Sequence, residues 1–267
     1  MSNRFVPRIG GVLSADIAVP DHDREVRFYG RVLTTGKNPL WRAQDLMNNL
    51  GLPVLGLGQR TPEYAALPLQ WMPHIQVADV AASVQRAVDL GGQVLMQQQD
   101  DSGRSQWAVL LDSNGAAFGI MPVIPQEAMP PIDASGDAAG PVGCIAWLDL
   151  TVPDAPATRD FYQAVVGWSV QEVSMEDEGG RYADYAMLAA DGQPAAGICH
   201  ARGPNAGLPP VWMIYLPVGD LDESLRRVET EGGRIVKIMR DRDGAYTYAA
   251  IQDPAGVYLA LVPGGGR

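Results

Sequence analysis

The sequence predicts an α+β fold of two tandem domains, each assembled from two strand–helix–strand–strand–strand modules. An internal repeat predicts it first. Trp71, Met72, Val77, Asp79, Ser83, Gly91 and Gly92 recur as Trp212, Met213, Val218, Asp220, Ser224, Gly232 and Gly233, each pair 141 positions apart (212 − 71). A shared offset with shared chemistry marks a duplicated unit. A second echo, Phe28-Tyr29 in Phe161-Tyr162, has an offset of 133 (161 − 28). The third observation is that strand-like and helix-like stretches follow the same order in each quarter of the chain.

In chain order, Val12 to Val19 alternates as a strand and ends in Pro20-Asp21, a helix start signal. Asp21 suits an N-cap. Glu25 to Leu33 carries the helix, with Val26, Phe28, Tyr29, Val32 and Leu33 as its apolar contacts. The unit returns as Ile145 to Val152, Asp154, and a helix from Thr158 to Val166. The change of offset from 133 to 141 requires eight extra residues (141 − 133) in the second copy. The polar Glu176 to Gly180 region suits them as a surface hairpin loop. Asn38 to Leu57 and Ala183 to Ile198 read as short strands broken by Gly and Pro, with Gly51, Pro53 and Gly56 matching Gly192, Pro194 and Gly197. Irregular stretches follow at Gln59 to Leu69 and His200 to Pro210. Trp71 to Val77 then reads as a strand and Ala81 to Leu90 as a helix closed by Gly91-Gly92. Val94 to Gln97, Ser105 to Leu111 and Ala117 to Val123 complete the half as strands. The Asp112 to Gly115 hairpin turn is answered by Asp253 to Gly256. Pro125 to Gly140 has linker composition. The predicted domains are therefore 1–124 and 141–267, with 125–140 between them.

The totals suit a folded chain. Of 267 residues, 46% are hydrophobic and 19% charged, so disorder is not expected. A net charge of −11 argues against nucleic acid or an anionic membrane as partner. The two cysteines, Cys144 and Cys199, both lie in the second half and suit a reduced, cytoplasmic setting. The opening MSNRFVPRIGG lacks the apolar run of a secretion signal, and no stretch approaches the ~20 apolar residues of a membrane helix.

Val19-Pro20-Asp21 leading to Phe28-Tyr29, VPD at 152–154 leading to FYQAVVGW at 161–168, and DPAGVYLALV at 253–262 resemble the vicinal oxygen chelate superfamily. That superfamily includes glyoxalase I, bleomycin-resistance proteins and extradiol dioxygenases. The resemblance covers roughly 8–124 and 141–263. It implies two glyoxalase-like domains, each a pair of βαβββ modules curled into an incomplete barrel whose concave side holds the ligand. It also implies a divalent cation held by His, Gln or Glu at fixed strand positions. Those positions hold Ser14, Met72 and Gly119 in the first half, and Trp147, Met213 and Ala260 in the second. A further position falls near Gly56 or Gly58, and Gly197 or Cys199. Methionine, glycine, alanine and tryptophan do not build the shell such a cation needs. The expectation is thus two barrels with no metal cofactor; the alternative is a divalent metal on displaced ligands.

Alternation along the strands adds Asp16 and His74 to the inward face of the first half, and Asp149, Tyr215 and Tyr258 to that of the second. Asp16 and His74 read either as an acid–base pair, the only catalytic candidates, or as groups satisfying local hydrogen bonds. The expected ligand-binding set is Ser14, Asp16, Met72, His74, Trp147, Asp149, Met213, Tyr215 and Tyr258. Trp147, Tyr215 and Tyr258 suit stacking on a planar ligand. Trp71 and Trp212 read as packing residues, and Cys144 and Cys199 as apolar fillers. His22 and His200 read as solvated, and Gly264 to Gly266 is not a phosphate loop.

Three functions follow from these readings. The first is a metal-independent binder of a small organic molecule. The second is a lyase, an isomerase or a dioxygenase-type enzyme with displaced metal ligands. The third is an association module, with a homodimer as the expected partner state.

Overall fold

The structure, a computed structural model, describes residues 7–33, 41–42, 45–47, 53–128 and 144–264. Gly51, most of the linker read at 125–140 and the end of the glycine tail lie outside the described residues.

The first quarter runs β1 (Val12–Val19), α1 (His22–Val32), β2 (Trp41–Arg42), β3 (Asp45–Met47) and β4 (Pro53–Gln59). The second runs β5 (Met72–Val77), α2 (Val80–Asp89), β6 (Gln93–Gln99), β7 (Ser105–Leu111) and β8 (Ala117–Pro122). The third runs β9 (Trp147–Val152), α3 (Ala155–Val166), β10 (Ser169–Asp177), β11 (Gly180–Leu188) and β12 (Pro194–His200). The last runs β13 (Trp212–Val218), α4 (Leu221–Thr230), β14 (Arg234–Arg240), β15 (Tyr246–Gln252) and β16 (Tyr258–Pro263). Two eight-stranded sheets result, ordered β2-β3-β4-β1-β5-β8-β7-β6 and β10-β11-β12-β9-β13-β16-β15-β14. Each module closes in the same way. Its helix is a crossover, so the fourth strand returns parallel to the first, as β4 does to β1 and β8 to β5. The α+β class is therefore as the sequence implies, with open sheets rather than closed barrels. Among the described residues no helix is long and apolar enough to cross a membrane.

The repeated aspartates start the helices. Asp21, Asp79, Asp154 and Asp220 accept the backbone N–H of Arg24, Ala82, Ala157 and Glu223 at 2.9–3.1 Å. Each such cap contributes about 1 kcal/mol. Because the cap acts at once, α1 and α3 begin at His22 and Ala155, three residues earlier than the apolar pattern alone suggests. Glu176 to Gly180, where the insertion is expected, forms the tip of the β10–β11 hairpin, with Asp177 paired to Gly180.

The chain packs as two compact units that cut across its halves. One comprises residues 1–13, 72–129 and 148–212; the other comprises 14–71, 130–147 and 213–267. Each unit takes one module from each half. In the second unit, Trp71 Nε1 donates to Tyr29 Oη at 3.3 Å, and Tyr29 Oη donates to Asp253 Oδ2 at 2.7 Å. Asp253 Oδ1 meanwhile accepts the Val257 N–H of its own turn at 2.8 Å. The first unit repeats the chain: Trp212 Nε1 donates to Tyr162 Oη at 2.9 Å, which donates to Asp112 Oδ2 at 3.3 Å. Both tyrosines and both tryptophans are at most 1% exposed. Burial, with a carboxylate at hand, pushes both phenols well above their ordinary range, so each remains a donor.

The Gly-Gly pairs serve the same packing. A Cβ at Gly233 would stand 2.6 Å from Gln252 O and 2.8 Å from Phe28. At Gly92 it would stand 2.8 Å from Leu111 O and 3.2 Å from Phe161. Only a residue without a side chain lets the helix of one half settle there.

One difference separates the two chains. Glu25 in α1 is 1% exposed and hydrogen-bonds Asp253, while its Oε2 has no partner among the described residues. Thr158 occupies that place in α3 and is satisfied: its hydroxyl donates to Asp154 O and accepts from Asn114. Burial first, then the Asp253 carboxylate, raises Glu25 from the usual 4.5 to about 8.

Two outcomes follow. Tyr162→Phe removes a donor from Asp112 and an acceptor from Trp212, and should cost about 1–3 kcal/mol in a urea unfolding curve. For Glu25 the sign is fixed by its raised value. The unfolded chain ionises near 4.5 while the folded one holds the proton to about 8, so stability falls across that interval as pH rises. The full loss is on the order of 3–5 kcal/mol. Glu25→Gln keeps a donor toward Asp253 and cannot ionise, so its stability should stay nearly flat over the same interval when unfolding is followed by circular dichroism.

Candidate ligand-binding faces

Register, rather than spacing, fixes the candidate side chains. In β1, Ser14 and Asp16 are half-buried and alternate with buried Leu13, Ala15 and Ile17. Asp16 stands opposite Gly56 of β4, and any Cβ at Gly56 would run into its Oδ1. The same unit holds Trp147 and the aromatic strands of the second half. Met213 and Tyr215 in β13 are 3% and 6% exposed. Tyr215 pairs with Ala260 of β16, which pairs in turn with Ala250 of β15. Its ring meets Tyr248 edge-on at 5.3 Å. Tyr258, half-buried, opens β16. The three aromatic candidates Trp147, Tyr215 and Tyr258 thus belong to one unit, with Ser14 and Asp16.

The other unit holds Met72, His74 and Asp149. Met72 is buried. His74 lies opposite Gly119 of β8, where a Cβ would come within 2.5 Å of its Cδ2, so the glycine leaves the room that the imidazole occupies. Asp149 repeats the Asp16 arrangement, opposite Gly197 of β12. It also accepts from the Cys199 thiol at 4.0 Å, and burial beside Asp149 and Asp184 pushes that thiol far up, so it stays protonated. Cys199 is thus no thiolate nucleophile. Asp16 and His74 fall in different units, each set by its own glycine partner.

Two histidine readings are corrected. His22 is not solvated: its Nε2 lies 2.9 Å from Leu57 O and its side chain is 15% exposed. His200 is not in a linker: it closes β12, and its Nδ1 lies 3.0 Å from Asp184 Oδ1. Spacing missed Asp184 because alternation marks a face and not the partner across it. One signal was available: at the shared offset of 141, His200 stands where the first half has Gln59 (200 − 59).

The six positions at which a cation would be held offer one hydroxyl, two thioethers, an indole and two residues without donors. Among the described residues no three or more His, Cys, Asp and Glu side chains group closely enough to hold an ion. These residues do not fit a divalent metal.

Residues 13–121 match the family model of the glyoxalase-like domain, and residues 144–261 match that of the Glyoxalase/Bleomycin resistance protein/Dioxygenase superfamily. The anthracycline biosynthesis protein DnrV of Streptomyces peucetius is 33% identical over 131 residues, spanning 45% of this chain and 46% of that protein. "Putative glyoxylase CFP32" of Mycobacterium tuberculosis is 29% identical over 196 residues, 73% of this chain and 70% of that one. In three dimensions the chain is similar to a variant of homoprotocatechuate 2,3-dioxygenase from B. fuscum in complex with HPCA. The TM-score is 0.59 at 14% identity, covering 99% of this chain and 74% of that one. A mutant of 4-hydroxymandelate synthase from Streptomyces coelicolor gives 0.54 at 14% identity, covering 98% and 94%. At such identities the likeness is one of fold.

Proposed function

Since the chain belongs to the glyoxalase/bleomycin-resistance/dioxygenase superfamily in both of its halves, we propose that it binds a planar organic molecule against the aromatic side chains of its second half, without a resident metal. The observation that carries this reading is Tyr215. It pairs across the sheet with Ala260, a position where relatives of this type would place a cation ligand, and its ring is held edge-on by Tyr248. A position that supplies a methyl group next to a fixed phenol ring favours stacking and apolar contact over coordination. Trp147 and Tyr258, half-buried in the same unit, extend the aromatic character. DnrV, related by sequence over 131 residues and named for anthracycline biosynthesis, supports the ligand class, because anthracyclines are fused planar ring systems. Met213, buried beside Tyr215 on the same strand face, adds a polarizable wall suited to such rings.

The test is a tryptophan-fluorescence titration with a water-soluble hydroxyanthraquinone, before and after exhaustive chelation. Binding should be the same in both. Tyr215→Ala should weaken it by roughly 10- to 100-fold, the worth of one stacked and buried aromatic ring. Loss of binding on chelation, or an unaffected Tyr215→Ala variant, would remove the reading.

A further inference from the structure

We propose that the outer edge of β6 is where a second copy of this chain adds on, strand to strand, about a twofold axis. The inference rests on neither the Tyr215 face nor any ligand. The two sheets end in four strands, β2, β6, β10 and β14, and among the described residues no strand pairs with β6 on the side away from β7. An end strand leaves a row of backbone N–H and C=O groups without a neighbour, and folded proteins guard such edges with charge, proline or shortness. β2 spans two residues, Trp41–Arg42. β10 carries Glu172, Glu176 and Asp177, and β14 carries Arg234, Lys237 and Arg240. β6, QVLMQQQ over Gln93–Gln99, has neither charge nor proline, and five of its seven residues are exposed.

The duplication shows that the scaffold does not require so bare an edge. β14 holds the matching place in the other sheet, and at the offset of 141 (234 − 93) Gln93, Met96 and Gln99 become Arg234, Lys237 and Arg240. The approach to the strand differs in the same sense: Val88 and Leu90 become Glu229 and Glu231. Among the described residues five large apolar side chains are exposed, and three of them, Val88, Leu90 and Val94, fall in this stretch. The acids that flank β6 are already engaged. Asp89 accepts from Gln85 at 2.8 Å, and Asp100 accepts from the Ser102 hydroxyl at 2.6 Å.

Charge identifies the occupant. Two copies with a net charge of −11 each repel at long range, so self-association favours a contact that carries no charge. In a twofold contact each strand meets itself, and β10 or β14 would then set like charges against like. β6 escapes this. Glutamine amides both donate and accept, so Gln97 and Gln99 suit their own kind, and Val94 adds apolar area. Trp107 Nε1 of β7 donates to Gln98 Oε1 at 2.7 Å, which ties the edge to its sheet before any partner arrives. An antiparallel pair would continue the sheet from β7 through β6 into the second copy.

The test is sedimentation velocity on the full chain over a range of protein concentrations. The native chain should form a dimer, and added salt should leave it intact or strengthen it, because screening relieves the repulsion between copies. Gln93→Arg, Met96→Lys and Gln99→Arg together, the residues β14 already carries, should weaken association by roughly 100-fold or more with the far-ultraviolet circular dichroism unchanged. A second variant, Gln93→Glu with Gln99→Glu, should also be monomeric alone. An equimolar mixture of the two variants should recover the dimer, since an antiparallel pair sets position 93 of one strand near position 99 of the other. A native chain that stays monomeric overturns the proposal and leaves the edge to a foreign strand. It is overturned too if the cationic variant still dimerises, if the mixture stays monomeric, or if salt dissolves the native dimer, which would point to β10 meeting β14.

Discussion

The structure depends on a buried hydrogen-bond chain made twice: an indole N–H to a phenol, and the phenol to a turn aspartate. Each chain joins three segments remote in sequence, Trp71, Tyr29 and Asp253 in one unit, Trp212, Tyr162 and Asp112 in the other. The helix tyrosine always reaches an aspartate from the opposite half. That aspartate also accepts backbone N–H groups of its own hairpin turn, so the turn, the helix and the strand-start tryptophan are held together at one carboxylate. Every polar atom in such a chain is buried, so losing one member strands the others.

This constraint explains which residues the duplication kept. Trp, Tyr, Asp and the Gly-Gly pair recur because they form the junction between modules, and a Cβ at Gly92 or Gly233 would strike backbone oxygen and a phenylalanine ring. The same junction tolerates one divergence. Thr158 satisfies itself within α3, whereas Glu25 brings a second carboxyl to Asp253 and leaves an oxygen unpaired. One unit is thereby sensitive to pH in a way its counterpart is not.

Away from the junction the halves have separated. Both retain an aspartate facing a glycine, Asp16 with Gly56 and Asp149 with Gly197. Around it, His74 lies against Gly119 in the first half, while Tyr215 lies against Ala260 in the second. At the end of the fourth strand of each half, Gln59 binds backbone and His200 is held by Asp184. Duplicated positions that match report the fold; positions that differ are where chemistry was free to change.

The sequence by itself determined the module order, the helix caps, the double repeat and the family, because these follow from local patterns and from identities at a fixed offset. It also determined that the six positions suited to a cation carry no His, Gln, Glu or Asp, since residue type alone decides that. The tertiary structure decided how modules pair across the halves, since Tyr29 meeting Asp253 spans 224 positions and leaves no local trace. It decided the fate of the histidines too. A side chain's partner lies on the neighbouring strand, and which residue that is depends on the register between the two strands. His22 and His200 therefore look like surface residues in sequence and are seen to be engaged only when β4 and β11 stand beside them.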